Sequence, residues 1–476
     1  MTFYSRKLNP YGLRQECLSY PEILAQSIGN IAPTMVASVN IALVFGTAGN
    51  GTWLAFLIAT VGVVFVSLCI KPFARLSASA GSLYTYIGKS LGPTAGVISG
   101  WALVLAYAFT AMAVLGSFSL YTNLVLSVFS LHISPIILFT ICASLTWYYA
   151  YTDIQLSAVL LLLLEFSSII LIVILALTVL FRHGFTVDTA QLSLDSVSAD
   201  GIRLGMVIAV FGYVGFESST TLGIEAKNPL KAIPNSVIWS SVLCGLFYIL
   251  IAYTQVLAFR GYATPLNKVD GPLSVIAGMV GVESLGVAIS VAIVLSSFGC
   301  ILASLNAAAR VCFSLGRHGI LHSSVGQAHV ENETPHVAIS ILSMLIFLVP
   351  ASMSMFGISD LDIYGYLATI ATYGFLLVYL LIAVAAPVYL SRKRRLRLGN
   401  LAISCVAVIF MLIPIVGSVY PVPVFPYNVF PYLFLMYLAV GAGFLWLLRQ
   451  RSPQTIDSMQ RDLEVVESRF STLEPD

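Results

Sequence analysis

Two acidic residues stand inside long apolar runs: Glu165 in Leu163-Leu164-Glu165-Phe166-Ser167-Ser168, and Glu217 in Phe211-Gly212-Tyr213-Val214-Gly215-Phe216-Glu217-Ser218-Ser219. A charge at the middle of a bilayer costs on the order of 3 kcal/mol even on lenient insertion scales, so each carboxyl needs a reason to be there. Two readings are open for both: a hydrogen-bonded brace between helices, or a titratable switch that couples ion movement to a change of shape. A second concentration of polar groups lies at Pro33, Thr34, Ser38 and Asn40, within Ala32-Pro33-Thr34-Met35-Val36-Ala37-Ser38-Val39-Asn40. Pro33 removes a backbone donor and clashes with the preceding turn. Gly212 and Gly215 weaken the other run just before Glu217. A helix interrupted in lipid exposes peptide N–H and C=O groups that something must bind. Freed N–H groups suit a carboxylate, and freed carbonyls suit an ammonium or a metal cation. The chemistry these residues offer is reversible binding of a small zwitterion.

The elements that would position them are membrane helices. Of the 476 residues 58% are hydrophobic and only 9% charged, where soluble chains carry about 25% charge. The mean hydropathy is +0.94. Apolar runs able to cross a roughly 30 Å hydrocarbon core lie at 22–46, 52–73, 93–122, 134–151, 154–181, 205–226, 235–259, 284–311, 336–356, 362–390, 399–419 and 428–449. The expectation is an all-α polytopic membrane protein of about twelve spans, without a soluble domain. Alternating the loops from a cytoplasmic amino terminus puts 19 of the 23 Lys and Arg residues on the cytoplasmic side. The other side keeps only Arg182, Arg203, Arg260 and Lys268. That bias is the positive-inside pattern, and a wrong span count would have scrambled it. The run Arg392-Lys393-Arg394-Arg395 reads as the anchor of the preceding span.

Breaks in spans one and six, five spans apart, point to an inverted repeat of five helices plus five with discontinuous helices 1 and 6. The expected divisions are a cytoplasmic segment 1–21, repeats 22–181 and 205–390, two added helices within 399–449, and a cytoplasmic tail 450–476. The eighth run carries Ser296, Ser297, Ser304 and Asn306, and the third places Leu103, Tyr107 and Thr110 on one helical face. The plainer reading of both is packing and self-bonded hydroxyls. Seven scattered cysteines without a CxxC pair suggest neither a metal site nor a disulfide framework. No cofactor and no nucleic-acid partner is expected, and the oligomeric state is open. A polar start without a cleavable signal, together with short loops, fits a bacterial inner membrane.

Residues 211–229, FGYVGFESSTTLGIEAKNP, resemble the sixth helix and following loop of the amino acid–polyamine–organocation (APC) superfamily, and Pro234 continues the match. The stretch Ser79-Ala80-Gly81-Ser82-Leu83-Tyr84-Thr85-Tyr86 with Leu91-Gly92-Pro93 resembles that family's loop after helix two. Ala308-Ala309-Arg310, Gly316-Arg317-His318-Gly319 and Thr334-Pro335 resemble its helix-eight end and loop. The resemblance implies a secondary transporter, a permease working by alternating access. The substrate carboxylate would meet N–H groups at the first break, within Thr34, Met35, Val36, Ala37 and Ser38, with Asn40 close by. The amino group would meet carbonyls of Phe211 and Val214, in the break that also holds Gly212, Tyr213 and Gly215. Phe211 would be the aromatic gate. Ser304, Leu103, Tyr107 and Thr110 would line the side-chain pocket, and Glu165, Ser168 and Glu217 are the coupling candidates. The first break lacks the family's Gly-Ser/Thr-Gly triplet, so side chains narrow the approach to the backbone. Proton symport, sodium symport and exchange are all open.

The expected partners are therefore an amino acid or related amine, a coupling proton or sodium ion, and membrane lipid. A membrane-embedded enzyme is the other class considered, but the loops are short and the histidines avoid the span centres. A channel or a non-transporting sensor is the third, and no charged ring or filter-like run supports it.

Overall fold

The computed structural model of the protein describes residues 12–451 apart from Ala78, Asp270 and Pro421. Most of the expected tail 450–476, and Arg6 and Lys7 of the expected amino-terminal segment, lie outside the described residues.

The described chain is helical throughout. The first run is divided into α1 (Tyr20–Ile31), α2 (Pro33–Met35), a π-helical segment Val36–Asn40 and α3 (Ile41–Ala48). Next come α4 (Thr52–Ala74), α5 (Leu83–Leu91), α6 (Pro93–Ser127), α7 (Pro135–Thr152), α8 (Ile154–Arg182) and the short α9 (Thr189–Leu192). After these follow α10 (Ala199–Phe211), α11 (Pro229–Ala258), α12 (Pro272–Met279), α13 (Glu283–Arg317), α14 (His336–Met355), α15 (Asp360–Arg392), α16 (Leu398–Gly417) and α17 (Phe430–Arg451). Among the described residues, nine stretches are long and apolar enough to cross a bilayer, and one of them, Tyr20–Ala74, contains two of the runs read from the sequence. The sixth run is not one continuous span. Its helix stops at Phe211, after 13 residues, and the rest is turns followed by a 3-10 segment, Ser218–Leu222.

Large apolar residues cover the outside as well as filling the core, while the polar groups of the spans are turned inward. On α8, Leu163, Phe166, Ile170, Leu177 and Phe181 are all exposed, whereas Glu165 and Ser168 are buried. A large exposed apolar surface is stable only against lipid. Inner helix α6 packs against both α13 and α15, and α4 packs against α11. Peripheral α17 reaches α6 by stacking Tyr437 on Trp101, with ring centroids 5.3 Å apart. The protein is an integral membrane protein.

The connections gather at two opposite ends. At one, Arg14 pairs with Asp153, Tyr84 bonds His318 at 2.7 Å, and Arg392 donates to the Lys89 carbonyl. At the other, Arg260 donates to Asp188 at 2.6 Å and to Asn50 at 3.1 Å, while Trp53 donates to the Gln191 carbonyl. Of the four cations expected on one side, Arg182, Arg203, Arg260 and Lys268, Arg260 sits in this second cluster.

Candidate functional site

The first break is set by Ala32, which takes a left-handed backbone (φ 51°, ψ 64°) between α1 and Pro33. Proline disfavours the helical region for the residue before it, and at the start of the next helix it lacks no needed donor. The Met35 and Val36 amides both bond the Ala32 carbonyl, so these two of the expected carboxylate donors are engaged within the chain. The widened turn that follows is held from outside: Gln255 on α11 donates to the Ala37 carbonyl at 2.7 Å. Ser38 bonds the Thr34 carbonyl at 2.7 Å, and Asn40 is buried.

The second break starts where α10 ends. Gly215 (φ +88°) is the residue whose conformation requires glycine. Its N–H donates to the Tyr379 hydroxyl at 2.9 Å. The Gly212 carbonyl accepts from Tyr248 at 2.9 Å, and the Phe216 carbonyl accepts from Ser240 at 3.1 Å. Among the described residues no hydrogen bond reaches the carbonyl oxygens of Phe211 and Val214.

The two breaks touch. A Cβ added to Gly215 would lie 1.7 Å from Asn30 Nδ2, and one added to Gly212 would lie 2.9 Å from Val36 Cγ1. Beyond the break, Ser218 donates to the Gln26 carbonyl at 3.1 Å, and the Ser219 N–H donates to Ser27 Oγ at 3.1 Å. Buried polar groups in a packed interior are normally hydrogen-bonded. Five atoms here are not: Asn30 Nδ2, Thr34 Oγ1, Gln26 Oε1, Ser219 Oγ and Gln255 Oε1 have no partner among the described residues.

Glu217 is fully buried. It accepts from Tyr107 on α6 at 2.7 Å and from Tyr379 on α15. The latter tyrosine therefore holds both the Gly215 amide and the Glu217 carboxylate. Glu165 lies elsewhere, where α1, α8 and α13 meet: Ser296 donates to it at 2.9 Å, and a Cβ on Gly29 or Gly299 would lie within 4 Å of its side chain. Ser168 bonds the carbonyls of Leu164 and Ala292.

The remaining expected residues separate. Ser304 donates to Asn30 Oδ1 at 2.7 Å, so it joins the first break. The Met35 sulfur accepts from Ser117 and Ser297, and Leu103 is buried within the same core as Met35 and Val36. Thr110 bonds its own helix through the Ala106 carbonyl. Tyr213 turns away, bonding Thr60 at 2.6 Å and meeting Tyr248 edge-on. Phe211 and Val214 are half-buried against the core. Asn30, Gln255 and Tyr379 were not singled out from the sequence. A lone Asn before Pro33 is the one signal that could have drawn attention to the first. Among the described residues, no group of three or more His, Cys, Asp or Glu could hold a metal.

The chain matches the amino acid permease family model over residues 22–451. A branched-chain amino acid permease of Bacillus subtilis is 26% identical over 61% of this chain and 65% of its own length, so the chain spans a little under two thirds of that relative. A methylthioribose transporter of the same organism is 25% identical over 67% of this chain and 71% of its own length. A branched-chain amino acid permease of Lactococcus lactis is 22% identical over 80% and 83%. Among solved structures, a sodium-coupled sialic acid symporter in its substrate-bound outward-open state shares the fold, with a TM-score of 0.52 and 13% identity over 85% of this chain and 90% of that one. Two broken helices packed break against break, in a chain matched over nearly its whole length, lead to one conclusion: the protein belongs to the amino acid permease family of the APC superfamily.

Proposed function

We propose that the protein is a secondary carrier that moves an amino acid or related amine by alternating access. Twelve spans would form an inverted repeat, 22–181 and 205–390, with two added helices within 399–449. The positive-inside bias would put both termini in the cytoplasm. The contact of Asn30 with Gly215 carries this reading, because it brings unsatisfied peptide and side-chain groups of both broken helices to one place. The Phe211 and Val214 carbonyls supply acceptors for an ammonium. The first break supplies donors for the opposite end of the solute. Phe211, at the end of α10, is the gate that moves as this segment moves.

Glu217 would be the link between occupancy and shape. Its two tyrosine partners lie on α6 and α15, and one of them also holds the helix-six break. Losing or gaining a proton there would loosen or tighten three helices together. Glu165 is the coupling site proper: a carboxylate buried beside one hydroxyl and two glycines needs a proton or a bound cation to neutralise it. Either a proton or a sodium ion would supply that charge, since the neighbouring Ser168 hydroxyl donates its proton to carbonyls and keeps its oxygen lone pairs.

The test is counterflow into proteoliposomes made with the purified protein, screened against unlabelled amino acids and polyamines. Saturable exchange supports the carrier. No exchange with any solute would return the choice to a membrane enzyme or a sensor.

A further inference from the structure

Resting on the carrier reading, we propose that the Asn30 side-chain amide, aimed by Ser304, and the Thr34 hydroxyl recognise a carboxylate on the transported solute, so that an amino acid is carried and its decarboxylated amine is not. The family's usual first break presents backbone N–H groups between glycines. Here Pro33 has no N–H, and the Met35 and Val36 amides bond Ala32. Those three positions therefore supply no backbone donor. Asn30 is 2% exposed and Thr34 fully buried, and neither Asn30 Nδ2 nor Thr34 Oγ1 has a partner among the described residues. The Asn30 oxygen is occupied by Ser304 at 2.7 Å, which turns the NH2 group away from α13 and against Gly215 of the helix-six break. Helix one thus offers donors, and helix six offers the acceptors Phe211 and Val214. A solute with an ammonium alone would satisfy the acceptors and leave both donors buried and unpaired. A site built to hydrogen-bond a group strongly rejects the analogue that lacks it.

The experiment is counterflow with L-leucine against 3-methylbutan-1-amine, and L-lysine against 1,5-diaminopentane, for the wild type and for Asn30→Asp and Thr34→Val. Wild type is expected to exchange at least one of the acids, with its amine about a hundred-fold poorer. Asn30→Asp places an anion where the donor was, so KM for the acid should rise on the order of a hundred-fold. The near-isosteric Thr34→Val should raise it about ten-fold with the protein still monodisperse, which keeps the test valid if Asn30→Asp misfolds. An amine carried as well as its acid, or an unchanged acid KM in both variants, overturns the carboxylate assignment and leaves the carrier standing. No exchange of either pair by the wild type, when other solutes are exchanged, also overturns it. No exchange of any solute removes the carrier reading and this inference together.

A different observation, at the basic end of the molecule, carries a second proposal. Residues 13–19 lie across the loops of both halves. The Cys17 and Leu18 amides both bond the Glu225 carbonyl at 2.9 Å, and the Lys227 amide bonds the Leu18 carbonyl at 3.0 Å. Arg14 pairs with Asp153, and its amide bonds the Glu333 carbonyl. Leu13 is fully buried in a small cluster with Ala80 and Phe313. Beneath the strap Glu225 forms a closed ion pair with Arg310 at 2.7 Å, both side chains at most 1% exposed. The geometry points to a latch: this segment must lift for the site to open toward this end.

Cys17 reports on it directly. Burial, and then the nearby Glu225 carboxylate, push its thiol up to about 12, so a docked strap keeps it protonated and slow to alkylate. In nanodiscs of a Cys405→Ser background, N-ethylmaleimide should label Cys17 at least ten-fold faster in Leu13→Asp than in the parent. A transported solute should change the parent's rate. Arg14→Ala, a milder cut, should give an intermediate rate. Equal rates in parent and both variants, or a parent rate indifferent to solute, overturn the latch.

Discussion

Tyr379 joins the two sides of the helix-six break: its hydroxyl accepts from the Gly215 amide and donates to Glu217, two residues further on. An aromatic on α15 therefore holds in place a peptide group that α10 has given up. Tyr379→Phe keeps the ring and its packing on Phe216 but removes both bonds. Its maximal transport rate should fall at least ten-fold while insertion and monodispersity persist. Glu217→Gln should alter the pH dependence of uptake. An identical pH profile would demote Glu217 to a brace.

Gly215→Ala meets two obstacles at once, a left-handed backbone and Asn30 Nδ2 at 1.7 Å from the new methyl. The strain alone costs on the order of 1–3 kcal/mol. The variant should melt several degrees lower in detergent, and an unchanged melting temperature would contradict the close contact.

Phe211→Ala should weaken occlusion and lower transport without affecting insertion. The measurement is uptake kinetics, and unchanged values would remove Phe211 from the gate.

Glu165→Gln cannot lose a proton. Counterflow, which needs no driving ion, should persist in this variant, whereas accumulation driven by an imposed pH gradient should be lost. Accumulation equal to wild type would show that Glu165 only braces α8 against α13.

The end opposite the latch has an acid-sensitive tie. Burial raises the Asp188 carboxyl, but hydrogen bonds from Gln191 and Arg260, with the guanidinium charge, outweigh it and hold the group below the usual carboxylate value. A depressed folded-state pKa gives stability that is present above the unfolded value, near 3.9, and is lost as pH falls through the folded value. Arg260→Ala should therefore lower the melting temperature at neutral pH, and the gap from wild type should close in strong acid. A gap that does not change with pH would show that the pair contributes packing only.

Most of the runs were legible because lipid demands uninterrupted apolar length, which composition reveals directly; 134–151 and 205–226 are not among the nine such stretches of the described residues. The breaks were legible because Pro33, Gly212 and Gly215 each violate that demand. What escaped depends on position in space. Ala32, not Pro33, adopts the left-handed turn, and nothing in an alanine announces it. The π-helical turn at Val36–Asn40 depends on Gln255, 218 residues away. Tyr107 was singled out as a pocket wall, and the structure gives it the Glu217 carboxylate. Tyr379 sits in an apolar stretch where any tyrosine reads as packing. Arg310 was placed by resemblance at the helix-eight end, and nothing in the sequence pairs it with Glu225, 85 residues away.

The central claim is that the two breaks, touching at Asn30 and Gly215, form one solute site. Equilibrium binding of the exchanged solute to purified wild type and Gly215→Ala, both checked for monodispersity, measures this most directly. The account predicts one saturable site per chain in the wild type and binding at least a hundred-fold weaker in the variant. Equal affinity in the two proteins would place the solute elsewhere and contradict it.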